Sequence, residues 1–142
     1  VFHKRTRSVD GTAKLRGVSF FEGFSEEDLD RVAELADDVE AEAGAVLVEQ
    51  GRVGQECFVI LDGRASVYVG DDKVDSLGPG SMVGEMALID HLPRVATVVA
   101  DEPMTLVAFD TRRFRTLLDE IPKAGERVLQ VLAERRQAKE SW

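Results

Sequence analysis

The sequence predicts a mainly β fold with flanking helices: an eight-stranded β-roll (jelly roll), an N-terminal helical segment before it and a C-terminal helix pair after it. Three observations lead there. From residue 38 to residue 109 short apolar runs follow one another, separated by glycine, proline and Asp-Gly turns, and about eight such strands with frequent turns suit a sandwich, jelly roll or barrel. On either side of that region the apolar residues recur at helical spacing instead. At 142 residues the chain fits one domain and is long enough to bury a real core.

Residues 1–14 form a basic leader, with Lys4, Arg5, Arg7 and Lys14 and with Arg16 just beyond. It is expected to be solvated and poorly ordered, as termini usually are. The domain proper is placed at 15–142. Phe20-Phe21-Glu22-Gly23-Phe24 leads into Ser25-Glu26-Glu27-Asp28, a capping box with Asp where Glu is usual. In the helix that starts there, Leu29, Val32, Ala33 and Ala36 share one face, Leu35 lies at its edge, and Phe24 is placed to staple onto Leu29.

From Asp38 the period drops to two. Val39, Ala41 and Ala43 alternate with Asp38, Glu40 and Glu42, and Ala45 to Val48 runs on to the break at Gly51. The run Cys57 to Leu61 ends at Asp62-Gly63, the strongest short hairpin signal in the chain, and is expected to return as Arg64 to Val69. Gly70-Asp71-Asp72 turns the chain into a shorter strand, Lys73 to Leu77, which Gly78-Pro79-Gly80-Ser81 closes. Two β-rich runs, Val95–Val99 and Met104–Phe109, flank a turn at Pro103. Asp110 or Thr111 then caps a helix carrying Phe114, Leu117 and Leu118, and Pro122 suits the first turn of a second, with Val128, Leu129 and Leu132.

Composition excludes several classes. The net charge is -9, the acidic residues crowd between Glu22 and Glu56, and without a basic stripe to answer them no direct nucleic-acid partner is expected. Cys57 is the single cysteine, so no internal disulfide and no cysteine set for zinc or an iron–sulfur cluster exists; its apolar neighbours mark it as a core residue. His91 with one distant cysteine makes no metal site. No apolar run reaches the length of a membrane span and no signal-peptide pattern precedes the fold. A soluble, cytoplasmic protein is the expectation.

One stretch interrupts the strands, Gly84-Glu85-Met86-Ala87-Leu88-Ile89-Asp90-His91-Leu92-Pro93-Arg94-Val95-Ala96-Thr97. A glycine followed by good helix formers opens a helix whose first N–H groups lack intrahelical partners, and those donors attract an anion. Glu85 at the same mouth can accept hydrogen bonds from hydroxyls. Arg94 offers a planar fork matched to a phosphate. One hydroxyl-bearing phosphate ester would satisfy both.

Gly84-Glu85-Met86-Ala87-Leu88 followed by Pro93-Arg94-Val95-Ala96-Thr97 resembles the phosphate-binding cassette of the cyclic nucleotide-binding domain family, the type of the cAMP receptor protein and protein kinase A regulatory subunits. The likeness extends over most of the chain, through Gly44, Gly51, Gly54-Gln55-Glu56-Cys57-Phe58-Val59-Ile60 and Gly63, and through Leu15 to Leu35 as the opening helices. It implies that Glu85, assisted by the Gly84 backbone, accepts the ribose 2′-hydroxyl and that Arg94 pairs with the exocyclic phosphate oxygens. It also implies that the N–H groups of Ala87 and Val95 complete the cradle, with Met86 and Ala96 lining the pocket. The bulky aromatic usual before Gly-Glu is Val83 here, which alters packing and removes no ligand group. A serine or threonine after the arginine often favours guanine in this family; Val95 has no hydroxyl, so cAMP is expected over cGMP, as ligand rather than cofactor. The resemblance further implies that Leu88 acts as an apolar hinge repacking against Phe114, Leu117 and Leu118. The last helix would supply a lid, with terminal Trp142 as a candidate to stack on the base.

The function expected is therefore a non-catalytic cyclic-nucleotide sensor that passes its signal to an effector domain or protein outside this chain, a homodimer through the C-terminal helix being a further expected contact. The chain opens at Val1 rather than Met, in keeping with a fragment. Two other classes stand beside this reading. A cupin-like metal enzyme also uses a β-roll but gathers several histidines, against His3 and His91 here; a degenerate cyclic nucleotide-binding fold would keep the cassette as an interaction module.

Overall fold

The apolar run that starts at Cys57 becomes a strand buried on both faces. In the computed structural model, which describes residues 3–7, 12–84 and 93–137, this strand is β4, Glu56–Asp62, and Cys57, Phe58, Val59 and Ile60 are all essentially inaccessible to solvent. Continuous apolar sequence is what a doubly covered strand requires. Phe58 and Ile60 face the interior of the roll with Val67, Val98, Leu106 and Ala108. Cys57 and Val59 face a helical layer and meet Phe109, Phe114 and Leu117 there.

The other strands are β1 His3–Arg7, β2 Asp37–Ala41, β3 Val46–Val48, β5 Ala65–Val69, β6 Asp72–Leu77, β7 Met82–Val83, β8 Thr97–Ala100 and β9 Met104–Asp110. They form two antiparallel sheets in the orders β1-β2-β9-β4-β7 and β3-β8-β5-β6. The strands β2 to β9 are the predicted eight-stranded roll. A 3-10 turn at Ser19–Phe21 and helix α1, Glu26–Leu35, precede it, and helices α2, Thr111–Glu120, and α3, Pro122–Gln137, follow it. No helix among the described residues is long and apolar enough to cross a membrane.

The capping chemistry read from the sequence is present. The Ser25 hydroxyl accepts the Asp28 N–H at 3.0 Å while the Asp28 carboxylate accepts the Ser25 N–H at 3.3 Å, and Phe24 and Leu29 are buried in the same cluster. Asp110 caps α2 by accepting the Arg113 N–H at 2.8 Å, and Pro122 opens α3.

Four expectations are corrected. Asp62-Gly63 does not close a hairpin, because β4 and β5 belong to different sheets. Gly63 instead takes the chain across the roll at φ 94°, where an added Cβ would lie 2.7 Å from the Pro103 carbonyl oxygen, so the residue serves a close backbone approach. The tight hairpin is β5–β6, closed by Gly70-Asp71 between the paired Val69 and Asp72. The basic leader is not without regular structure: the backbone of His3–Arg7 pairs with β2 along its length, position 4 opposite Glu40 and position 7 opposite Asp37. Without it β2 would present an unpaired sheet edge. Ala43 lies in the exposed turn before β3, and Leu129 is 68% exposed on α3.

Arginines join the helices to the roll and to one another. The Arg31 Nε and Nη2 both donate to Glu120 at 2.9 Å, and its Nη1 donates to Glu34 at 3.1 Å, which ties α1 to α2. Arg113 donates to Asp37 at 3.0 Å, and Arg127 donates to the Phe20 carbonyl at 3.1 Å and to that of Glu22. Hydrogen bonding from Arg31 holds the Glu120 carboxyl below its ordinary value. A lowered carboxyl pKa stabilises the fold above the unfolded-state value, and the contribution is lost as acid carries the pH through the folded-state pKa. We therefore expect Glu120→Gln to be less stable than wild type at neutral pH, with the difference closing as the pH falls below the ordinary carboxylate range. Urea unfolding across that window checks this; a pH-independent difference contradicts it.

Candidate functional site

Arg94 is held by the backbone before its side chain does anything. Its N–H donates to the Arg52 carbonyl at 2.7 Å, its carbonyl accepts the Gly51 N–H at 2.8 Å, and Pro93 beside it bridges to Val53. The segments 50–54 and 93–97 thus run as a short ladder at the end of the roll. The Gln50 N–H extends it by donating to the Thr97 hydroxyl at 3.0 Å. From this ladder the guanidinium reaches across to the start of β4 and the end of β7. Nη2 donates to the Glu56 carbonyl at 2.6 Å and Nη1 to the Gly84 carbonyl at 2.7 Å.

The two carbonyls set the plane and direction of the fork. Val83 is buried and pairs with Phe58 across β7 and β4, so the Gly84 carbonyl that follows is anchored to the central sheet. Gly84 itself sits at φ 87°, a left-handed conformation that side chains disfavour. A Cβ there would also collide with Nη1 of Arg94.

The predicted residues Val83, Gly84 and Arg94 are thus brought together. Val95 next to the arginine is 45% exposed and Ala96 is buried against the roll interior. Glu85, Met86, Ala87, Leu88 and His91 lie outside the described residues, as does Trp142. The sequence reading did not foresee the parts played by Gly54 and Glu56. Glu56 contributes its backbone carbonyl, which no residue type announces. Gly54 could have been noticed as a glycine just before an apolar strand, but the side chain it faces lies forty positions on, at Arg94.

Residues 38–121 match the cyclic nucleotide-binding domain family, and the chain belongs to that family. A cyclic nucleotide-gated potassium channel of Rhizobium etli is 39% identical over 94 residues, covering 66% of this chain and 26% of the channel. The chain thus spans about a quarter of that relative's length. Among solved structures, a mutant of the cAMP-binding acyltransferase from Mycobacterium smegmatis is similar with a TM-score of 0.77 at 31% identity, covering 93% of this chain and 42% of that one. Thermus thermophilus catabolite activator protein is similar with a TM-score of 0.74 at 27% identity, covering 84% of this chain and 59% of that one.

The backbone at Gly84 yields a stability expectation that needs no ligand. Gly84→Ala should lose about 1–3 kcal/mol, from left-handed strain and from displacement of the arginine. Urea unfolding would show it as a lowered midpoint at unchanged slope, and an unchanged midpoint would refute the strain argument.

Proposed function

We propose that this domain is a non-catalytic cyclic-nucleotide sensor that prefers cAMP to cGMP and works in the cytoplasm as the regulatory part of a larger assembly. The observation that carries the reading is the guanidinium of Arg94, set by two backbone carbonyls beside Gly84, at the entrance to the segment that resembles the phosphate-binding cassette. Family membership supports a cyclic nucleotide over the metal chemistry of a cupin-like enzyme. In this reading Arg94 takes the exocyclic phosphate oxygens, Glu85 takes the ribose 2′-hydroxyl, and the N–H groups of Ala87 and Val95 complete the cradle. Val83, Gly84, Met86 and Ala96 line it. The absence of a hydroxyl at Val95 underlies the preference for adenine.

Electrostatics place the weight on the arginine. A chain of net charge -9 repels a phosphate at long range, so affinity must come from donors at short range in a site where water screens less. Binding can act as a signal because a ligand that favours one arrangement of cassette and C-terminal helices shifts the population toward it. Leu88 is the proposed hinge, repacking against Phe114, Leu117 and Leu118. The output lies in whatever the domain is joined to, as the partial coverage of its longer relatives suggests.

Titration calorimetry of the purified chain with cAMP and cGMP tests this. We expect cAMP to bind more tightly and to raise the melting temperature with concentration. Loss of a charged hydrogen-bond partner costs about 1.5–3 kcal/mol, so Arg94→Ala should weaken cAMP binding roughly ten- to a hundredfold while the fold survives. Unchanged affinity in that variant would remove Arg94 from the site, and no binding of either nucleotide would favour a degenerate interaction module.

A further inference from the structure

We propose that Gly54 is a positioning residue for nucleotide binding: its missing side chain is the space in which the Arg94 guanidinium lies, and so it sets the arginine's aim before ligand arrives. The inference rests on the sensor reading above for what the arginine then binds. Glycine can be required for backbone conformation or for room, and here the two separate. Gly54 is absent from the positive-φ glycines, so alanine fits its backbone without strain. Room is another matter. A Cβ at Gly54 would overlap Nε, Cζ and Nη2 of Arg94 together.

The atoms that would be struck are the far end of a flexible side chain, while both neighbouring backbones are pinned. The Arg94 backbone is fixed to Gly51 and Arg52, and Glu56 is held in register with Asp110 by the β4–β9 ladder. A methyl group at position 54 should therefore move the guanidinium and leave the fold alone. The displaced group would exchange one direction, set by the carbonyls of Glu56 and Gly84, for a range of rotamers. A ligand would then have to order the fork at the moment of binding instead of finding it in place. Gly54 touches no ligand in this scheme; it acts only through Arg94.

The test is a double-mutant cycle read by calorimetry with cAMP. Gly54→Ala should weaken binding about tenfold, the loss expected for one misplaced charged contact, while the melting temperature of the free protein falls by no more than it does in Arg94→Ala, which loses the same two hydrogen bonds to the Glu56 and Gly84 carbonyls. In an Arg94→Ala background the same substitution should change the cAMP affinity by nothing measurable, because the residue it positions is gone. Equal loss in both backgrounds, or wild-type affinity in Gly54→Ala, overturns the proposal. If wild type binds neither nucleotide the sensor reading fails, and the Arg94 Nε–H resonance then decides the positioning separately. A resonance shifted in Gly54→Ala relative to wild type, with faster solvent exchange, supports the berth; an unmoved one refutes it.

Discussion

The pairing of β4 with β9 is the constraint on which the rest of the molecule depends. Each strand is apolar on both faces, so the ladder is at once the wall of the roll and the floor under the helices. Phe58, Ile60, Leu106 and Ala108 look one way and Cys57, Val59, Val107 and Phe109 the other. Register makes this possible, since a slip by one residue would exchange the two faces wholesale. With Cys57 opposite Phe109 and Ile60 opposite Leu106, each core receives a matched set of side chains from both strands. Burial of this kind on two sides supplies the non-directional driving force, and the hydrogen-bonded ladder makes that force specify one arrangement.

The same ladder brings the functional parts to one end of the molecule. Glu56 and Asp110 are register partners. The Glu56 carbonyl holds Arg94, and the Asp110 carboxylate caps α2. The proposed anion-binding arginine and the start of the C-terminal helix pair are therefore attached to facing residues of one strand pair. From α2 the chain of contacts goes on through Glu120 to Arg31 on α1, and from α3 through Arg127 to the 3-10 turn. A sensor that moves its C-terminal helices would have a short mechanical route here, and the arginine bonds would carry the N-terminal helical segment along with them.

What was legible in the chain divides by the range of the interaction concerned. Ser25 with Asp28, Asp110 and Pro122 act within a few residues of themselves, and each marks its helix start where the structure has it. Alternation and apolar runs located the strands because side-chain period is also local. Partnership is not. Asp62-Gly63 has the composition of a hairpin turn, yet whether the chain folds back or crosses to the other sheet depends on Pro103 and Met104, some forty residues later. The leader differs for a related reason: its charge was plain, but that β2 would take a further strand on the side away from β9 could not be known from composition.

The candidate site shows the same division within a single residue. That Arg94 suits a phosphate follows from its own chemistry and its place after Pro93. How it is aimed follows from two carbonyls and a glycine on two separate segments, Gly54 to Glu56 and Gly84, and backbone groups leave no mark on sequence chemistry. A planar guanidinium on a flexible stem has considerable rotamer freedom to lose. Neutral backbone acceptors restrain it through the rigid sheet to which they belong, and the bare Cα of Gly54 admits it to their reach. An arginine in this setting differs from one on an open surface chiefly in order, and in the proposed sensor order established beforehand would let a single charged contact dominate the affinity of a small anion for an acidic protein.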